Sequence, residues 1–229
     1  MELNGFSRAI IAPLDNSGKF ITIDEFKKYG KYASKGIFQV DIETSKGTTQ
    51  GNITGLNPTV TKVYGSNTVA EVETGVENPS VTLGANDLPF EISSLIQGLV
   101  RDEEHGGYKR ADKTLFHGAL ILISSSHNHD AYYSFPYGTF TAGSGVNMQT
   151  DAASPVTVHD SVTFSPQARP KDNLLYQINV DDKNVDPNFK GEEALLDYII
   201  DGLNAPTTKT TPSPSPVDPQ TETPVSTEA

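Results

Sequence analysis

Residues 80–100, SVTLGANDLPFEISSLIQGLV, decide how the rest of the chain is read. Residues 80–83 have strand composition, 84–87 form a polar turn, and Leu88, Ile92, Leu95, Ile96 and Leu99 then fall on one face of a 3.6-residue period. Pro89 fits the first turn of a helix, where its missing N–H costs nothing. Asp87 stands where a carboxylate meets free backbone N–H groups. A helix over 88–99 with a single apolar stripe needs a sheet to lie against. Most of the remaining sequence reads as strand, turn or tail.

Upstream, residues 6–12 read as a first strand, closed by Pro13 and the turn residues Asp15, Asn16, Ser17 and Gly18. Residues 20–23 read as a short strand. Between 24 and 35, Phe26, Tyr29 and Tyr32 keep helical spacing but Gly30 interrupts them. With Lys27, Lys28, Lys31 and Lys35 this most basic segment is expected to be a solvated loop or arm. Residues 36–44 alternate, Phe38, Val40 and Ile42 against Gln39, Asp41 and Glu43, as a half-buried strand does. Residues 45–59 carry Gly47, Gly51 and Gly55 and little to bury, so they read as a long loop. Strands over 60–64 and 68–73 flank Gly65, Ser66 and Asn67.

Downstream, 101–113 is charged and is expected to be exposed. Residues 116–124, with Leu120, Ile121, Leu122 and Ile123 in a row, read as a central strand buried on both faces. A hairpin through 126–129 joins it to a second strong strand over 131–141. Pro136 inside that strand implies an edge position or a bulge. The Gly/Ser/Thr-rich stretch 141–155, with Gly143 and Gly145, reads as a second long loop. Strands over 156–164 and 174–180 follow, then a turn at 181–187. A helix over 192–203 has the stripe Leu195, Leu196, Ile199, Ile200 and Leu203. The last 25 residues hold six Pro, ten Ser or Thr and no aromatic. They have too little to bury to offset the entropy of ordering, so 205–229 is expected to be a disordered tail.

Composition excludes several functions. With no Cys there is no disulfide framework, thiolate chemistry or cysteine-ligated metal. A formal charge of -12 argues against a surface that grips nucleic acid, though not against one that nucleic acid slides past. No apolar run approaches a membrane span and no secretory signal opens the chain, so the expectation is a soluble cytoplasmic product with no membrane partner. His127 and His129, beside Asp130, form the only close histidine grouping, which reads as a polar hairpin tip rather than a metal site. Residues 181–186 lack the glycine and final glutamate of a calcium loop. Phosphate-binding and nucleophile-elbow motifs are absent. No catalytic residue or cofactor is expected, and the chain reads as a non-enzyme.

Two segments carry a resemblance. Residues 81–91, VTLGANDLPFE, with a helix closing near Ile96, Gln97 and Gly98, and the stretch 133–140, YSFPYGTF, resemble the major tail tube proteins of long-tailed phages of Gram-positive bacteria. The likeness runs from about residue 40 to about 164. It implies a mainly β fold: a two-sheet β-sandwich with one flanking helix, long loops and a C-terminal helix. On that basis 1–35 is an N-terminal strand and arm, 36–180 the sandwich with its helix 88–99, 181–204 a helical extension, and 205–229 a tail. The resemblance also implies a virion tail subunit, assembled in the host cytoplasm. Six copies would form a ring, rings would stack into a tube, and genomic DNA would pass through the lumen without specific binding. Tape measure, tail terminator and baseplate proteins would be its neighbours. Asp41 and Glu43, on the parity opposite Phe38 and Val40, are candidates to line the channel. Gly47, Gly51, Gly55, Gly143 and Gly145 mark the candidate inter-subunit loops. The alternative is a monomeric surface- or carbohydrate-binding module with Tyr132, Tyr133 and Tyr137 as its platform.

Overall fold

The computed structural model describes residues 2–110, 115–142 and 160–204. They run β1 (Asn4–Leu14), β2 (Phe38–Val40), α1 (Ile42–Ser45), β3 (Thr48–Thr54), β4 (Val60–Gly65), β5 (Thr68–Thr74), β6 (Ser80–Ala85), α2 (Phe90–Ile96), β7 (Leu99–Arg101), β8 (Tyr108–Arg110), β9 (Phe116–Ser126), β10 (His129–Ala142), β11 (Asp160–Pro166), β12 (Gln177–Val180) and α3 (Glu192–Ile199). Short 3-10 turns cover Asp24–Lys28 and Ala33–Lys35.

The mainly β expectation holds: the strands form two small hairpins and one large antiparallel sheet. Its order is β2-β1-β9-β10-β11-β6-β3, with β12 beside β10. The sheet curls until its distant strands touch. The Thr48 hydroxyl donates to the Phe6 carbonyl at 3.0 Å, and the Phe6 ring lies so close over Gly51 that a Cβ there would meet it at 3.1 Å. The pairs β4–β5 and β7–β8 are separate ribbons.

Alternation along the central strands explains why both faces are covered. Ala9 and Ile11 of β1, with Leu120 and Leu122 of β9, face a core that includes Val81, Leu83, Phe135 and Phe164; Leu88, Ile92 and Ile96 plug it from the α2 side. Ile10, Ala12, Ile121 and Ile123 face the other way, under Leu195, Leu196 and Ile199 of α3 and Ile200 just after it. The double burial read from the Leu/Ile run of β9 is thus observed.

Local chemistry moves several expected boundaries. The helix expected over 88–99 is only α2: Gly98, at φ 76°, ends it, and Leu99 starts β7. Asp87 does not cap it but pairs with Lys46 at 2.6 Å, while the Leu88 N–H donates to Asp160 at 2.8 Å. Pro13 lies inside β1, not in a turn. Its carbonyl accepts from the Ile21 N–H at 3.1 Å, so its missing N–H points away from β9. Residues 20–23 make only a single bridge, Leu14 to Phe20. The expected solvated arm at 24–35 instead packs: Phe26 and Tyr32 are buried, Phe26 stacks on Phe116, and Lys28 pairs with Glu91 at 2.8 Å.

The strand expected over 36–44 stops at Val40, because Asp41 and Thr44 form a capping box that turns the chain into α1. The loop expected over 45–59 contains β3, a polar edge strand paired with β6 through its backbone. Only Ile53 of it packs against the core, so it has no alternation to read. Charged 101–113 likewise conceals the β7–β8 ribbon. Pro136 does mark a bulge, between Phe135 and Gly138, though in a central strand. His127 and Asn128, both at positive φ, make the two-residue turn between β9 and β10. The strand expected over 156–164 corresponds to β11 from Asp160 on, residues 156–159 lying outside the described residues; that expected over 174–180 shortens to β12, and the helix expected over 192–203 closes at Ile199. The expected loop with Gly143 and Gly145, and the tail 205–229, lie outside the described residues.

Candidate assembly interface

The β4–β5 ribbon leaves the sheet after Thr54 and returns to it at Ser80. Gly55 forms its base at φ 72°, where a Cβ would strike the Asn78 carbonyl oxygen at 2.2 Å, so this position requires glycine. The turn at its tip uses Ser66 and Asn67 at φ 50° and 61°, as a two-residue hairpin demands. Directly opposed residues share a face. The pairs Val60–Thr74, Lys62–Val72 and Tyr64–Val69 therefore make one face, and Thr61–Glu73 and Val63–Glu71 the other. The first is apolar around a single lysine; the second carries two carboxylates. Val60, Tyr64, Val69 and Val72 are 54, 69, 41 and 54% exposed. An isolated two-stranded ribbon is marginal in water, and exposed valines at this density mark an interaction surface.

The candidate channel-lining residues sit at α1, between β2 and β3. The Asp41 carboxylate accepts from the backbone N–H groups of Glu43 and Thr44, both at 2.9 Å. Burial pushes its pKa up, but these bonds and one from the Gln39 side chain more than offset that and hold it below its ordinary value. Asp41 thus works as a helix cap, and the strand parity that pointed it to a channel wall does not exist. Glu43 lies exposed on α1. Gly47, at φ 97°, packs against Ile42, and its carbonyl accepts from the Asn86 N–H at 3.0 Å. Gly51 is within β3, and only Gly55 belongs to the projecting ribbon.

At the opposite face, α3 is fastened at both ends. Glu192 accepts from Arg8 and Tyr32, with Lys31 at 3.6 Å, and Arg8 also reaches Asp130 at 2.8 Å. Burial raises the Glu192 pKa, but the bonds from Tyr32 and Arg8 outweigh it and keep the carboxyl below its usual value. At the C-terminal end, buried Arg169 donates to the carbonyls of Tyr198 and Ile199 at 2.8 and 2.9 Å and grips both Asp172 oxygens. That holds Asp172 down to about 2. No pattern in the sequence singles out Arg169, whose α3 partners lie about thirty residues away.

The alternative platform is corrected. Tyr132 and Tyr137 are 2 and 7% exposed, because both face the α3 core, the bulge between Phe135 and Gly138 bringing Tyr137 to the face of Tyr132. His129 bonds the Asp181 carbonyl at 2.7 Å at the hairpin tip, and no group of three metal-ligating side chains occurs among the described residues. No described helix is long and apolar enough to cross a membrane.

A search of curated proteins finds no match. A family model, described as phage tail tube protein, matches residues 1–208.

Proposed function

The chain belongs to the phage tail tube protein family, a non-enzymatic structural component of the virion tail that assembles into a tube, and from that premise we propose that six copies close into a ring, that rings stack, and that the genome passes through the lumen on ejection. The observation that carries this reading is the family match over nearly the whole described chain, together with an exposed apolar ribbon that a monomer has no use for. Closure of a ring would also pair the open edge of β3. Tape measure, terminator and baseplate proteins would meet the ends and bore of such a tube.

Charge supports an unsticky channel. The last 25 residues carry three acids and one lysine, which leaves -10 of the -12 on residues 1–204. Six copies would bring roughly -60 to each ring, a repulsion that salt screens over about 10 Å. Assembly should therefore rise with salt, and purified tubes should not retain DNA at low ionic strength. Electron cryomicroscopy of concentrated protein tests the reading. Sixfold rings stacked into hollow tubes are expected; particles that stay monomeric at high concentration, or rings of another symmetry, refute it.

A further inference from the structure

Each end of the β3–β6 pair bears an exposed apolar patch with one charge that makes no ion pair among the described residues, and the two charges are opposite. At the Thr54/Ser80 end projects the ribbon face of Val60, Tyr64, Val69 and Val72 around Lys62. At the Thr48/Ala85 end lie α1 and α2, tied together by the Asn86 N–H to the Gly47 carbonyl and the Asp87 N–H to the Ser45 carbonyl. There Ile42 and Phe90 are 74 and 71% exposed. Nearby charges are mostly spent internally, Asp87 on Lys46 and Glu91 on Lys28. Glu43, next to Ile42, makes no ion pair among the described residues.

We propose that the apolar ribbon face of one copy docks on the α1–α2 end of a second copy, with Lys62 meeting Glu43. The inference rests on the tube reading and gives it a polarity. A strand of seven residues spans about 23 Å, so the two patches stand at opposite ends of the subunit and do not satisfy each other within one chain. A contact between two different patches is heterologous, and when its geometry does not close it repeats without limit. It therefore fits the axial step between successive rings, where growth must be open-ended, rather than the lateral contact that closes a ring. Charge complementarity fixes the register: Lys62 is the one charge on its face, and turning the ribbon over would bring Glu71 and Glu73 against Glu43.

The lack of any native cysteine makes the contact directly testable. The full-length Tyr64→Cys/Ile42→Cys double variant, assembled and mildly oxidised, is expected to give a covalent ladder of three or more copies on a non-reducing gel, while each single variant gives none. In parallel, Lys62→Glu should raise the concentration needed for assembly by about tenfold, as expected for turning an exposed attraction into a repulsion. Adding Glu43→Lys to Lys62→Glu should restore most of it. Tubes that assemble but give no ladder, with no rescue by the charge swap, overturn this contact and leave the tube reading standing. Failure of the unmodified protein to assemble at all overturns both.

Discussion

Replacing Arg169 by Met tests how the C-terminal helix is held. The guanidinium is 2% exposed and makes four hydrogen bonds, two to Asp172 and two to the last carbonyls of α3. Met fills much of the same space, so little cavity cost is added. Hydrogen bonds to a charged group are worth about 1.5–3 kcal/mol each, but they are not additive, and Asp172, more than a third exposed, regains water when its partner goes. The loss should be about 3 kcal/mol, or about 6–12 °C in Tm for a domain of this size. Urea unfolding should show a lower midpoint with an unchanged slope, and hydrogen exchange should speed first in α3. The Asp172 pKa is depressed, so its contribution is complete above the ordinary value of 3.8 and is lost as pH falls towards about 2. The wild-type protein should therefore lose part of its advantage over Arg169→Met across that window, and high salt should shrink the advantage at neutral pH. A loss below about 1 kcal/mol, or one independent of pH between 4 and 2, refutes the lock.

Three further outcomes are expected. Glu192→Gln should cost about 2 kcal/mol at neutral pH; because the Glu192 pKa is lowered, the gap to wild type should close as pH falls through that lowered value, and a gap constant down to pH about 3 would count against the cluster with Arg8 and Tyr32. Gly138→Ala should cost about 3 kcal/mol or prevent folding, since a Cβ there would lie 2.4 Å from the Phe164 ring and 2.6 Å from the Ser165 carbonyl oxygen; an unchanged Tm would show that β10 and β11 can move apart. Truncation after Asn204 should leave Tm within about 1 °C of the full chain, whereas truncation after Pro187, which strips α3 from its core, should yield insoluble protein; equal behaviour of the two would misplace the domain end.

What the sequence made legible was whatever packs with a period. The Leu/Ile run of β9 announced two buried faces, the stripes of α2 and α3 announced cover for a sheet, and Pro136 announced a bulge. Polar elements held by backbone alone stayed hidden. In β3 only Ile53 packs against the core, so Thr48 to Thr54 looked like loop. The Asp41–Thr44 capping box was readable as a helix start, yet the Phe38/Val40/Ile42 alternation outweighed it and placed Asp41 and Glu43 on a strand that ends before them. The β4–β5 hairpin was located from its turn residues, but its significance was not. That lay in the pairing register, with a bulge after Val63 that brings Val69 to the face of Val72. Arg169 left no local trace, because each of its α3 partners is some thirty residues distant.

The placement of β1 also governs when the protein can exist at all. On one side its ladder partner is the nearby β2, but on the other it is β9, and the Ser7 hydroxyl reaches the Ile123 carbonyl across 116 residues. At synthesis rates of about 5–20 residues per second, β1 waits about 6–23 s on the ribosome before β9 is made, with Ile10 and Ile11 lacking that neighbour. Long-range pairing of this kind folds slowly once it becomes possible. The α3 helix that covers the second face is made later still. The finished subunit therefore forms only once β9 and α3 have both been made. The same delay makes the nascent N-terminal strand the segment most in need of a chaperone.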